Sequence, residues 1–210
     1  QARDSFASTV SGVDLIVGAK TGSLNLLLYS VFRIGSPTDN ISWQAYRNIA
    51  ESDDVQWAIP ISLGDSHEGY RVVGTTQAFF EHFSFGKKRR LTFSEGEPFE
   101  DTFDAVLGSE VASTLGYSVS TEIVLAHGLA STSFTKHDNQ PFVVVGVLAP
   151  TGTPVDQTIH VRLEGIEAMH AGASAVPIGA FAPADVPDTN SSEPESITAF
   201  MLGLKSRMST

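Results

Sequence analysis

The sequence predicts a mixed fold of short strands and short helices, in one domain or in two small subdomains that share a core. Residues 141–170 read as strand, rigid turn, strand and helix in direct succession. With 41% hydrophobic and 18% charged residues in a chain of 210, there is enough apolar side chain to bury a core of that size. Residues 84–101 are polar and turn-rich, which marks them as the boundary between two parts.

The elements follow in order. Residues 10–17 alternate as a first strand, with Val13, Leu15 and Val17 on one face. Residues 24–34 are apolar and fit a helix or a strand equally well. Asp39 or Asn40 can cap a helix over 40–52, where Ile41, Ala45 and Ile49 recur at helical spacing. Residues 55–63 and 70–74 alternate as two strands, joined by a hairpin loop over 64–69. Thr76 can cap a short helix running to Phe83. Beyond the boundary, 103–107 is a short strand. Residues 109–115 form a helix, capped by Ser109, with Glu110 in its first turn and Gly116 at its end. Residues 121–127 are a strand and 130–139 a loop. Residues 142–148 are an almost unbroken β-branched run, the pattern of a strand buried on both faces. Pro150, Gly152 and Pro154 make the turn after it rigid. In residues 157–163, Ile159, Val161 and Leu163 face one way and His160 and Arg162 the other. A short helix around Ile166 and Met169 is expected to stop at Gly172. Residues 173–194 read as a long loop, and 197–204 as a last strand.

Charge and composition exclude several functions. A formal net charge of −11 repels a phosphate backbone. The one basic run, Lys87-Lys88-Arg89-Arg90, reads as a solvated turn. No cysteine is present, so disulfides, thiolate zinc sites and cysteine nucleophiles are excluded. No segment reaches the roughly 18 apolar residues that span a bilayer. Gln1 is not an initiator residue, so a processed or excised chain is expected. Gly18 and Lys20 lack the spacing of a phosphate loop. Ser66 and His67 invite a hydrolase reading, but Glu68 stands where a nucleophile elbow requires glycine. The pair is expected at a polar hairpin tip.

Tyr70-Arg71-Val72-Val73-Gly74-Thr75-Thr76-Gln77-Ala78-Phe79-Phe80 resembles the V-x-G-T-x-x-x-[YF]-[YF] segment of the MacB-like periplasmic core domain. Residues 105–116, with Leu107-Gly108, Val111-Ala112 and Leu115-Gly116, are similar to its L-G-x-x-v-A-x-x-L-g segment. Phe142-Val143-Val144-Val145-Gly146-Val147-Leu148 is similar to its F-x-V-v-G-i-l strand. The resemblance covers nearly the whole chain. It implies an α+β fold with two lobes. A porter-like lobe of mixed sheet plus helices would hold 1–83 and 195–210. An inserted β-rich lobe would hold 84–194. It also implies the extracytoplasmic, periplasmic part of an FtsX-like ABC transporter permease. Such a domain is not an enzyme and has no cofactor of its own, because ATP binds a separate ATPase domain or subunit. Membrane helices would flank the chain and anchor it at the bacterial inner membrane. The implied partners are the ATPase, a second permease copy and a periplasmic protein.

Two further readings concern binding. The apolar stretch 24–32 is a candidate patch for a neighbour. His127, His137, His160 and His170 cluster in the second half of the sequence, and with Asp138 or Asp156 they could hold zinc. No fixed ligand spacing supports that site. A periplasmic zinc-binding domain is therefore the alternative function.

Overall fold

The computed structural model describes residues 9–20, 23–35, 39–127, 141–174 and 193–205. The elements, in chain order, are β1 Leu15–Gly18, α1 Ser23–Ser30, β2 Ile41–Ser42, α2 Trp43–Ala50, β3 Val55–His67 and β4 Tyr70–Thr75. Next come α3 Ala78–His82, β5 Ser84–Phe85, β6 Arg89–Arg90, β7 Phe93–Gly96, β8 Asp104–Leu107 and α4 Ser109–Leu115. The rest are β9 Glu122–Ile123, β10 Ala126–His127, β11 Phe142–Leu148, a 3₁₀ turn Pro154–Gln157, β12 Thr158–Arg162, α5 Leu163–Ser174, β13 Ser196–Ile197 and β14 Ala199–Leu204.

One mixed sheet organises them, in the order β1-β14-β3-β4-β12-β8-β11-β7. β10 joins β3, and β9 joins β11. The α+β class expected from the sequence is the observed one. The sheet does not break at residue 84. β12 lies parallel to β4 over five residue pairs, from Thr158↔Arg71 to Arg162↔Thr75.

Strand alternation assigns the two faces. Val73, Val106, Leu148 and Met201 join Phe79, Phe80 and Phe83 of the α3 region on one face, with Val31 behind α1. Val72, Ala105, Leu107, Ile159 and Val161 meet Val111 of α4 and Ile166 and Met169 of α5 on the other. Phe200 and Leu202 continue that second face to Tyr46 of α2. The sheet is therefore covered on both sides. This explains why β11 and β12 read as continuous apolar runs or carry buried residues at both parities.

Several local expectations change. The first strand starts only at Leu15, because Gly12 has φ 71 and Ser11 bridges Ser84, which bends the chain away from the ladder. Within the apolar stretch 24–34, residues up to Ser30 form the helix α1 and the rest is irregular. α2 is capped by Ser42, whose Oγ accepts from the Ala45 amide at 3.3 Å, since Ile41 and Ser42 pair with Ser196 and Ile197. Thr76 does not cap α3 through its side chain; the N-cap is Gln77, whose Nε2 donates to the Phe99 carbonyl at 2.8 Å. Gly108 rather than Ser109 caps α4. A Cβ on Gly108 would lie 2.2 Å from the Val155 carbonyl oxygen, so this close approach needs glycine. Gly116, at φ 69, ends α4 in the left-handed region as expected. α5 runs past Gly172 to Ser174. Residues 121–127 split into β9 and β10, which pair with different strands. The expected loop at 130–139 lies outside the described residues, as does most of the one at 173–194.

Phe79 is fully buried, with its ring centroid 4.8 Å from Phe83 and 4.7 Å from His160. Phe79→Ala is expected to cost about 3–5 kcal/mol, through lost burial and the cavity left behind. Chemical denaturation checks it: the midpoint falls and the slope is unchanged.

Candidate functional site

Two ends of the sheet carry the distinctive polar chemistry. The first is where β1 begins and β14 ends. β1 and β14 are antiparallel, with Leu15 opposite Leu202 and Gly18 opposite Ala199. The Asp14 amide donates to the Leu202 carbonyl at 2.9 Å. The Asp14 carboxylate accepts from the Leu204 amide at 2.7 Å. The Lys205 amide donates to the Asp54 carbonyl at 2.9 Å. Residues 14 and 204 are thus clamped together, although 190 positions separate them. A carboxylate accepting a backbone N–H is a charge-assisted bond, stronger than a neutral one. Leu15 and Leu204 are exposed beside this clamp.

The second is the opposite end of β3. The strand continues through Gly64, Asp65 and Ser66 to His67, which corrects the hairpin loop expected over 64–69. The turn is only Glu68 and Gly69, at φ 47 and 84, which suits a two-residue hairpin. Ser66 and His67 are buried, not at a polar tip. His67 Nδ1 lies 2.7 Å from the Val124 carbonyl, so this nitrogen carries the proton and donates. Its Nε2, 3.0 Å away, then accepts from the Tyr117 hydroxyl. Both ring nitrogens are engaged away from the Ser66 hydroxyl, and no serine–histidine couple forms.

Asp65 is 4% exposed, and its Oδ1 is 3.6 Å from His170 Nε2 on α5. The facing Asp65 carboxylate holds the His170 pKa above its ordinary value; burial opposes this, and Glu167 adds to it. Burial raises Glu167 in turn.

Of the four histidines singled out in the sequence, His160 and His170 lie apart. His160 is fully buried on the α3 face, flanked by Phe79 and Phe80. His170 lies on α5, which packs on the other face. The sheet separates the two, so they cannot share one ion. The alternation of β12 is as expected, but His160 is enclosed, because α3 covers the face it points to. His127 stands in β10 across from Asp65. His137 lies outside the described residues. Among the described residues, no three His, Cys, Asp or Glu side chains are grouped to hold a metal.

Other polar groups have structural partners. Asp156 is buried and accepts from the Thr151 and Gly152 amides at 2.8 and 2.7 Å and from the Thr151 hydroxyl at 2.8 Å. These bonds make the proline–glycine turn a closed corner. Arg33 is buried at φ 57 and donates to the Ser30 carbonyl at 2.6 Å. Burial and the nearby Arg71 lower its pKa to about 10. Arg89 and Arg90 are exposed on the β5–β6 hairpin, as the solvated-turn reading expects, with Arg89 4.5 Å over the Phe85 ring. Of the 24–32 stretch, Leu24 is 67% exposed, while Leu27, Tyr29 and Phe32 pack on the core. Leu24 is therefore the exposed apolar residue of α1, with Leu26 and Leu28 half-buried. Asp156, singled out in the sequence beside the histidines, closes a turn instead, while Asp14 and Asp65 were missed, because a lone aspartate carries no periodic signal.

The profile of the MacB-like periplasmic core domain matches residues 2–186. The chain belongs to this family. Its solved structural neighbours include the periplasmic region of MacB from Actinobacillus actinomycetemcomitans, at 8% identity, TM-score 0.53, and coverage of 98% of this chain and 79% of that one. Another is the extracellular domain of the noncanonic ABC-type transporter YknZ from Gram-positive bacteria, at 10% identity, TM-score 0.47, and coverage of 80% and 75%. No curated protein matches the chain. The fold, a mixed sheet covered by helices, is similar to that of the MacB periplasmic region. No helix among the described residues is long and apolar enough to cross a membrane.

Burial, and then the charge of Arg33, lowers the His160 pKa to about 3 from 6.5. A folded-state pKa below the unfolded one means that stability is complete above pH 6.5 and falls as pH drops toward 3. The loss from this group approaches about 1.4 kcal/mol per pH unit in that window. His160→Phe, which keeps the ring stack, is expected to flatten the pH dependence of unfolding there. An unchanged slope would contradict the assignment.

Proposed function

We propose that this chain is the periplasmic domain of an ABC transporter permease, and that it passes membrane-helix motion to the periplasm. The observation that carries this is the β1–β14 pair closed by Asp14 and Leu204. The first and last strands, β1 and β14, lie side by side in a sheet covered on both faces. Two membrane anchors joined there would act on neighbouring strands. A packed sheet resists bending, so a relative shift of the anchors becomes movement of the whole body rather than local deformation. The family membership supports the same reading. No catalytic group is needed. ATP would bind a separate ATPase, and a second permease copy and a periplasmic protein would complete the assembly.

The reading frame around this chain tests the anchoring. An apolar segment of about 20 residues is expected close to each end. Soluble domains on both sides would sink the proposal. The coupling is tested in the assembled transporter. Asp14→Ala removes the acceptor of the exposed Leu204 amide, a loss of about 0.5–1.5 kcal/mol at the joint. Transport is expected to fall several-fold while ATP hydrolysis persists. Equal loss of both activities would argue against a coupling role.

A further inference from the structure

We propose that the basic hairpin β5–β6, with Lys87, Lys88, Arg89 and Arg90, rests on an anionic phospholipid surface. This builds on the reading that membrane anchors join the chain where β1 begins and β14 ends. Two contacts put the hairpin at that end of the sheet. On the β1 side, Ser11 holds its base. The Ser11 amide donates to the Ser84 carbonyl at 2.8 Å, and the Ser84 hydroxyl donates to the Ser11 carbonyl at 2.7 Å. Ser11 stands three residues before Asp14 of the clamp, a span of about 10 Å at most. On the β14 side, the His82 ring at the end of α3 stacks on Trp57, with centroids 5.3 Å apart. Trp57 is the β3 partner of Gly203 in β14.

Charge is the second argument. The chain has 24 acidic residues against 13 Lys and Arg, yet four of those cations stand in succession on this tip. No Asp or Glu occurs between Glu81 and Glu95. All four residues are exposed. Among the described residues, no carboxylate pairs with any of them. Gly86 at φ 54 and Lys88 at φ 57 turn the tip tightly. Arg89 is steadied over the Phe85 ring, and Arg90 by the Glu81 carbonyl, which leaves Lys87 and Lys88 foremost.

Phosphate headgroups match this tip, because Lys and Arg bind phosphate oxygens by charge-assisted hydrogen bonds. Each Lys or Arg held near an anionic leaflet strengthens partition about fivefold. Asp14 and Asp54 lie at the same end, but Asp14 is turned to the Leu204 amide. In about 0.1 M salt, charges more than about 10 Å apart are largely screened. The distant acidic groups of the chain therefore do not repel the surface that the tip touches.

Flotation of the chain with lipid vesicles in about 0.1 M sodium chloride tests it. The chain is expected to float with vesicles of equal parts phosphatidylglycerol and phosphatidylcholine, and not with phosphatidylcholine alone. Raising the salt to about 0.5 M is expected to release it. Lys87→Gln with Lys88→Gln is expected to weaken partition more than about tenfold. Lys20→Gln, at an exposed position beyond the other end of β1, is expected to change nothing. Circular dichroism checks that each variant folds, and Arg89→Gln with Arg90→Gln decides if the lysine pair misfolds. No flotation with the anionic vesicles, equal flotation with neutral ones, full flotation of the lysine pair variant, or loss in Lys20→Gln would each overturn the proposal. In the first case the tip is left to an acidic protein. Failure of the transport reading is distinct. Apolar anchors on both sides without flotation would remove only the lipid contact, and flotation without anchors would remove only the transport reading.

Discussion

The structure depends on the last strand returning to lie beside the first. β14 pairs with β1 on one edge and with β3 on the other. Five of its six residues are buried, so it is a central strand in every physical sense. Its backbone groups would be left without partners if either neighbour were absent. Closing a loop of nearly the whole chain costs entropy, though the cost grows only slowly with length. Burial of Phe200, Met201 and Leu202 on both faces offsets it. The Asp14–Leu204 bond then closes the joint.

This arrangement gives the sheet two distinct ends and two separate faces. At one end, β1 begins and β14 stops. At the other, β3 extends past its core-forming residues and carries Asp65 and His67 to α5, β10 and Tyr117. The faces keep chemistry apart. On one, His160 is held neutral among aromatic rings. On the other, His170 faces Asp65. A histidine count in the sequence treats the four as equivalent, whereas the sheet does not.

Much of the fold was legible in residue pattern. β8, β11, β12 and α4 appear close to where apolar runs, alternation and Gly116 place them. The family was legible too, because residues 70–80, 105–116 and 142–148 keep local motifs in order. β3 was cut short in the sequence reading, since Gly64, Asp65, Ser66 and His67 look like a turn. Pairing with β4 and β10 overrides that local preference. α1 could not be told from a strand, because the apolar run 24–34 lacks a clear period. The lone aspartates Asp14 and Asp65 were not legible at all. Each acts through a partner more than 100 positions away, Leu204 and His170.

By itself, the sequence determined which segments become strands and helices, the rigid corner at Pro150 to Pro154, the absence of cysteine chemistry and the family. Those properties follow from residue type and spacing within a few turns or a few strand positions. Tertiary structure alone decided the strand order, the clamp between residues 14 and 204, and the separation of His160 from His170. Pairing partners far apart in the chain are selected by burial and by satisfaction of backbone hydrogen bonds across the whole fold. No local pattern records that selection.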